Sequence, residues 1–201
     1  MLDNTVTKLN FKLDITELRQ YYDKLNTDYQ HLDWSWAKCG ADIVEQWRDA
    51  AYEDPANLLT HGWAIQSNLK DITIPCPPWN ISKHKTVEYR NTELAFGIIS
   101  RLQDKMPFGY RWGVSVQPPG GKVTEHTDAD DEYTVWLPIH TSGPAITFDK
   151  GYELVADGSA YLLNTTQPHH TFNPSNKDRV TIIFRLKQDK LKEILSLEGT
   201  I

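Results

Sequence analysis

The sequence predicts an α+β domain, with helices first and then an antiparallel double sheet of sandwich or barrel type. Three observations predict it. Helical spacing of apolar residues prevails as far as residue 108. From Tyr110 onward the apolar period becomes 2. The later runs are short, β-rich and separated by Gly, Pro, Asn and Asp clusters. A length of 201 residues suits one domain. Within residues 1–201 we expect an N-terminal helical elaboration over 1–108, a sheet core over 109–188 and a C-terminal helix over 189–201.

Each element has its own local reason. Asp14 precedes ITELRQYYDKL with Glu17 three residues on, a capped helix that lines Ile15, Leu18, Tyr22 and Leu25 along one face. A second helix is expected over Ala41–Tyr52, ending before Asp54-Pro55. The three prolines within Ile74–Asn80 exclude regular structure there. Thr92–Lys105 reads as the helix that packs on the sheet, because Leu94, Ala95, Ile98, Leu102 and Met106 share one face. Trp112, Val114 and Val116 then alternate with Gly113 and Ser115, and QPPGG turns the chain. Further strands are expected at Tyr133–His140, Ala145–Phe148, Ala160–Leu163 and Val180–Leu186, with a last helix over Asp189–Leu197.

Composition narrows the function. Hydrophobic residues at 39% and aromatics at 11% support a buried core and exclude a disordered chain. The net charge of −6 disfavours nucleic acid as a partner. No apolar run approaches the roughly 20 residues that span a bilayer, so no membrane partner is expected. The opening MLDNTVTKLNFKLD lacks the pattern of a secretory signal, and Cys39 and Cys76 cannot build a disulfide framework. A reduced, cytoplasmic setting is the expectation.

Chemistry begins at Glu125-His126-Thr127-Asp128. In an extended strand, positions i and i+2 point to one face, so His126 and Asp128 offer a nitrogen and a carboxylate oxygen to one point. Pro168-His169-His170-Thr171-Phe172-Asn173 follows, and Arg179 heads the apolar run Val180–Phe184. Two His and one carboxylate on one side of a metal form the facial triad of non-haem Fe(II) oxygenases, which leaves coordination positions open. Neither cysteine lies near these motifs, which argues against structural zinc. Taken singly, the pieces are weaker: the run Asp128, Asp130, Asp131, Glu132 also reads as a solvated loop, and His169-His170 as a surface pair.

With HTD at 126–128, HHTFN at 169–173 and DRVT at 178–181, the sequence resembles the iron- and 2-oxoglutarate-dependent dioxygenases, in their aspartyl/asparaginyl β-hydroxylase-like (prolyl hydroxylase-like) branch. The resemblance spans roughly residues 110–187. It implies a double-stranded β-helix, a jelly roll of cupin-like form; the N-terminal helices are expected to pack on its sheet from their own apolar faces. It implies Fe(II) held by His126, Asp128 and His169, with His169 preferred to His170 because Asn173 and Arg179 stand at the family's spacing from it. Thr171 and Asn173 then face inward with His169, while His170 and Phe172 face away. It also implies that Arg179 forks onto the distal carboxylate of 2-oxoglutarate, a geometry guanidinium suits, with Thr181 adding a hydroxyl from the same face. Ser115 and Tyr133 are further candidate co-substrate contacts; Trp136 and Asn164 also lie on inner-strand candidates, with Trp136 favoured as core. Arg111 and Trp112 are candidates for the mouth, and His31, His61, His84 and His140 are expected to be surface or core.

The implied reaction couples decarboxylation of 2-oxoglutarate by O2 to hydroxylation of an aliphatic C–H bond in a peptidyl side chain or small molecule. Members nearest the mammalian β-hydroxylase lack the metal carboxylate, whereas this chain keeps Asp128, so that enzyme's substrate does not transfer. The rival readings are a cupin-like metalloprotein with other chemistry and a non-catalytic binding jelly roll. Arg179 speaks against the first and the complete ligand set against the second.

Overall fold

The computed structural model describes residues 6–35, 56, 59–67, 88–128, 131–140, 143–147 and 151–201. The helix expected over Ala41–Tyr52, the Ile74–Asn80 segment, His84, Trp36 and Trp47 lie outside the described residues. Two mostly antiparallel sheets dominate. The larger runs β14 (Gly199–Thr200), β1 (Val6–Lys12), β11 (Ser159–Leu163), β8 (Glu132–His140), β13 (Arg179–Lys187), β6 (Tyr110–Gln117), β3 (His61–Ala64), β2 (Trp34–Ser35). The smaller runs β10 (Gly151–Leu154), β9 (Gly143–Thr147), β12 (His169–Phe172), β7 (Lys122–His126). A two-stranded ribbon joins β4 (Gln66–Ser67) to β5 (Arg90–Asn91). The pair of main sheets makes a cupin-like double-stranded β-helix, as expected.

The first helix, α1 (Ile15–Asp28), starts where its cap dictates: the Asp14 carboxylate accepts from the backbone N–H of Thr16 at 2.8 Å and of Glu17 at 3.2 Å. Its apolar stripe buries Leu18, Tyr21 and Leu25. The second, α2 (Ile98–Lys105), begins six residues later than the sequence predicts. The cause is local. The Thr92 hydroxyl donates to the Ala64 and Ile65 carbonyls and takes the Leu94 N–H, so 92–97 folds as a turn before Gly97 at φ 59. Leu94 and Met106 are buried with Ile98, Ile99 and Leu102 all the same. A short α3 (Leu191–Leu195) stands where the last helix is expected.

The N-terminal half departs from a purely helical reading, because it supplies β1, β2 and β3 to the large sheet. In β1, Leu9 and Phe11 are buried between exposed Lys8, Asn10 and Lys12, an alternation that pairs antiparallel with β11 and parallel with β14. The chain leaves β1 against Gly158, whose carbonyl accepts the Leu13 N–H at 2.9 Å.

The main core lies between the helices and one face of the large sheet. Trp112, Val114 and Val116 from β6, Tyr133, Val135, Leu137 and Ile139 from β8, and Val180, Ile182, Phe184 and Leu186 from β13 all belong to it. Trp112 stacks on Phe184 with ring centroids 4.0 Å apart. By strand alternation the opposite face carries Arg179, Thr181, Ile183 and Arg185 from β13 and Ser115 and Gln117 from β6. That face meets the small sheet: the Gln117 amide bonds Thr171 of β12.

Candidate metal centre

His126 ends β7 and His169 begins β12, and the two residues are direct partners in the antiparallel ladder. Cross-strand pairing therefore brings together imidazoles 43 positions apart in the chain, with ring centroids at 4.2 Å. Each ring is held by its Nδ1. His126 Nδ1 lies 2.9 Å from the Thr124 carbonyl, and His169 Nδ1 lies 2.9 Å from the Gln167 carbonyl. A carbonyl only accepts, so Nδ1 carries the proton and both Nε2 lone pairs are available for a metal. Asp128 follows β7 and is fixed by its backbone N–H, which donates to the Thr165 carbonyl at 2.8 Å. Its carboxylate oxygens lie 3.9 Å from His126 Nε2 and 4.0 Å from His169 Nε2. The three ligand atoms fall within 4.8 Å of one another, close enough for small side-chain rotations to bring them onto one ion.

The electrostatics suit that use. Burial lowers the pKa of both imidazoles, and the His126 ring lowers that of His169 further, so both favour the neutral form a metal needs. Burial alone would raise the Asp128 carboxyl. The Arg185 guanidinium overcomes it by charge and hydrogen bonds and brings the group down to about 2. Arg185 Nη1 stands 2.5 Å from Asp128 Oδ2, and Nη2 donates to Oδ1 at 3.0 Å. Neutral nitrogen donors with an ionised carboxylate fit a divalent first-row ion.

Arg185, which bonds the candidate ligand Asp128, is a site residue that reading the sequence missed. Glu132 accepts from the Tyr110 hydroxyl at 2.7 Å and from Arg111, Arg185 and Lys187 at 3.4 Å each. Arg111 has a φ of 56°, unusual for a side chain of its size, and its Nε is buried without a hydrogen-bond partner among the described residues. A signal for Arg185 was available: in RVTIIFRLK it sits six residues after Arg179, hence on the same face of β13.

The expected co-substrate residues divide between the two faces of the large sheet. Arg179 faces Gln117 in register and Thr181 faces Ser115, so the four form one patch opposite the core. Arg179 and Thr181 are buried, and desolvation brings the Arg179 guanidinium down to about 10. Arg179 Nη1 donates to the Phe172 carbonyl at 3.0 Å and Nη2 donates to Gln117 Oε1. Tyr133 is corrected by the structure: it points into the helix-side core with Val135 and Leu137, away from this patch. Trp136 points the other way, half-buried with its ring 5.9 Å from the Arg179 guanidinium. Trp112 packs in the core. Asn173 is wholly buried and structural; its amide donates to the Gln117 and Lys177 carbonyls and accepts from Ser175. Asn164 takes the Thr166 hydroxyl in the turn before His169. His170 and exposed Phe172 face away from the site. His61 pairs with Asp33 at 3.0 Å, His140 packs on Tyr22, and His31 stacks on Tyr29.

Residues 86–189 match the sequence profile of a family described as Aspartyl/Asparaginyl beta-hydroxylase. No curated protein matches the chain. Among solved structures, the chain is similar to the non-heme alpha ketoglutarate dependent epimerase SnoN from nogalamycin biosynthesis, at 9% identity over 90% of this chain and 77% of that one, with a TM-score of 0.54. An oxidoreductase of the 2OG-Fe(II) oxygenase family from Burkholderia pseudomallei aligns over 90% of this chain and 95% of its own, at 11% identity and a TM-score of 0.45. A cupin domain from Bordetella pertussis aligns over 39% of this chain and 82% of its own, at 25% identity and a TM-score of 0.33.

Proposed function

The chain belongs to the aspartyl/asparaginyl β-hydroxylase family and is an Fe(II)- and 2-oxoglutarate-dependent hydroxylase, and on that premise we propose how its residues divide the work. His126, Asp128 and His169 hold Fe(II), and Arg179 holds the distal carboxylate of 2-oxoglutarate with Thr181 and Ser115 beside it. The observation that carries this reading is the convergence of two Nε2 atoms and a carboxylate within 4.8 Å, with the carboxylate bonded by Arg185 from the large-sheet face that also carries Arg179.

When bound, the iron and 2-oxoglutarate supply the oxidation of a C–H bond by O2. The protein's part is positioning. The Thr124 and Gln167 carbonyls keep the imidazole tautomers fixed. Arg185 keeps Asp128 ionised and oriented. Arg179, set in a dry patch, matches a carboxylate with a planar fork whose attraction is stronger for being buried. The substrate is an aliphatic C–H in a peptidyl side chain or a small molecule, and the net charge of −6 speaks against a polyanion such as nucleic acid. No helix among the described residues is long and apolar enough to cross a membrane.

The test is succinate formation from 2-oxoglutarate by protein supplied with Fe(II) and O2. His126→Ala and Asp128→Ala are expected to abolish it. Turnover that survives both changes refutes the assignment of the metal ligands.

A further inference from the structure

The Gln117 carboxamide is used at both ends. Its Oε1 accepts from Arg179 Nη2, and its Nε2 donates to Thr171 Oγ1 at 2.9 Å. Its main-chain carbonyl accepts from the Asn173 amide at 2.6 Å. The residue is 4% exposed. An amide with a donor on one side and an acceptor on the other is fixed in its flip as well as its place. Gln117 therefore joins three strands: β6, on which it stands; β13, through Arg179; and β12, through Thr171, two residues from the ligand His169 on the same face.

We propose that Gln117 is a positioning residue for 2-oxoglutarate: it aims the Arg179 guanidinium at the distal carboxylate and fixes its place relative to the metal-bearing strand β12. This rests on the assignment of Arg179 above. The chemistry explains why an amide is suited to the position. A neutral acceptor orients a guanidinium without cancelling its charge. A carboxylate there would orient it too, but would compete with the carboxylate of the co-substrate.

The test uses the full chain loaded anaerobically with Mn(II), as wild type, Gln117→Glu and Gln117→Met, each checked by circular dichroism and thermal melting. Calorimetry measures binding of 2-oxoglutarate and of 2-oxobutyrate, which keeps the keto-acid end but lacks the distal carboxylate. In Gln117→Glu, Thr171 can turn its hydroxyl and donate to the new carboxylate, so the packing survives. Its Kd for 2-oxoglutarate is expected to rise roughly 100-fold from the introduced like charge. In Gln117→Met, which keeps chain length but offers Arg179 no comparable acceptor, the rise is expected to be roughly tenfold. Both variants should bind Mn(II) and 2-oxobutyrate as wild type does, and Gln117→Met should show a raised KM for 2-oxoglutarate with kcat retained. Folded variants that bind 2-oxoglutarate normally overturn the inference. So does equal weakening of both keto acids, which marks a general structural role. A wild type that binds Mn(II) but not 2-oxoglutarate overturns the functional reading itself, and this inference with it.

Discussion

Replacing Asp128 by Asn should destabilise the metal-free protein, and the structure sets the size. Asp128 and Arg185 have side chains 12% and 19% exposed, joined by contacts of 2.5 and 3.0 Å. Breaking a buried pair by removing one charge costs about 3–5 kcal/mol. Asn keeps one acceptor oxygen and Glu132 stays 3.4 Å from Arg185, so the lower end, about 3 kcal/mol, applies. A second route agrees in order of magnitude: lowering the carboxyl from 3.8 to about 2 corresponds to roughly 2.5 kcal/mol. For a chain of this size a loss of about 3 kcal/mol lowers Tm by about 6–12 °C at pH 7. The sign with pH follows from a folded pKa below the unfolded one. The stabilisation is complete above the unfolded value of 3.8 and is lost as pH falls through about 2. Thermal melts of both proteins in a chelator, from pH 7 down to pH 3, read the difference, and the gap in Tm should narrow below about pH 4. A variant that melts with the wild type at pH 7, or a gap that does not narrow in acid, refutes the argument that Arg185 holds an ionised Asp128.

Arg179→Ala should raise the KM for 2-oxoglutarate roughly 100-fold while Mn(II) affinity, read by paramagnetic resonance, stays put; an unchanged KM removes the clamp. Tyr133→Phe should leave that KM within about twofold in a steady-state assay, because a change in the helix-side core reaches the site only through small shifts. Gly158→Ala should cost about 2–4 kcal/mol in urea melts, since Gly158 has a φ of 88° and an added Cβ would strike the Leu13 carbonyl where β1 joins the turn before β11. An unaltered midpoint there would show that the N-terminal strand is not tightly docked.

Much of the fold was legible because its signals are local. The Asp14 cap, the stripe Leu18, Leu25 and the alternation of β6, β8 and β13 need only neighbouring residues to be read. The strand β1 carried the same alternation in LNFKL, yet a run of that length makes sense as a strand only once β11 and β14 flank it. The candidate ligands were legible for a different reason: His-x-Asp places two of them side by side, a distant His completes the set, and the structure brings the three within 4.8 Å of one another.

The amino-acid order alone pointed to His126, Asp128 and His169 as candidate ligands and, through the family resemblance, to Arg179 as the candidate clamp, and it showed which strand residues share a side. Which side turned to the helices and which to the small sheet was decided only by packing. A strand buried on both faces is apolar on both, so Tyr133 and Trp136 looked alike until α1 and α2 covered one of them. The partners Arg185 and Gln117 emerged the same way, since a contact across 57 or 62 positions exists only when two strands are laid side by side.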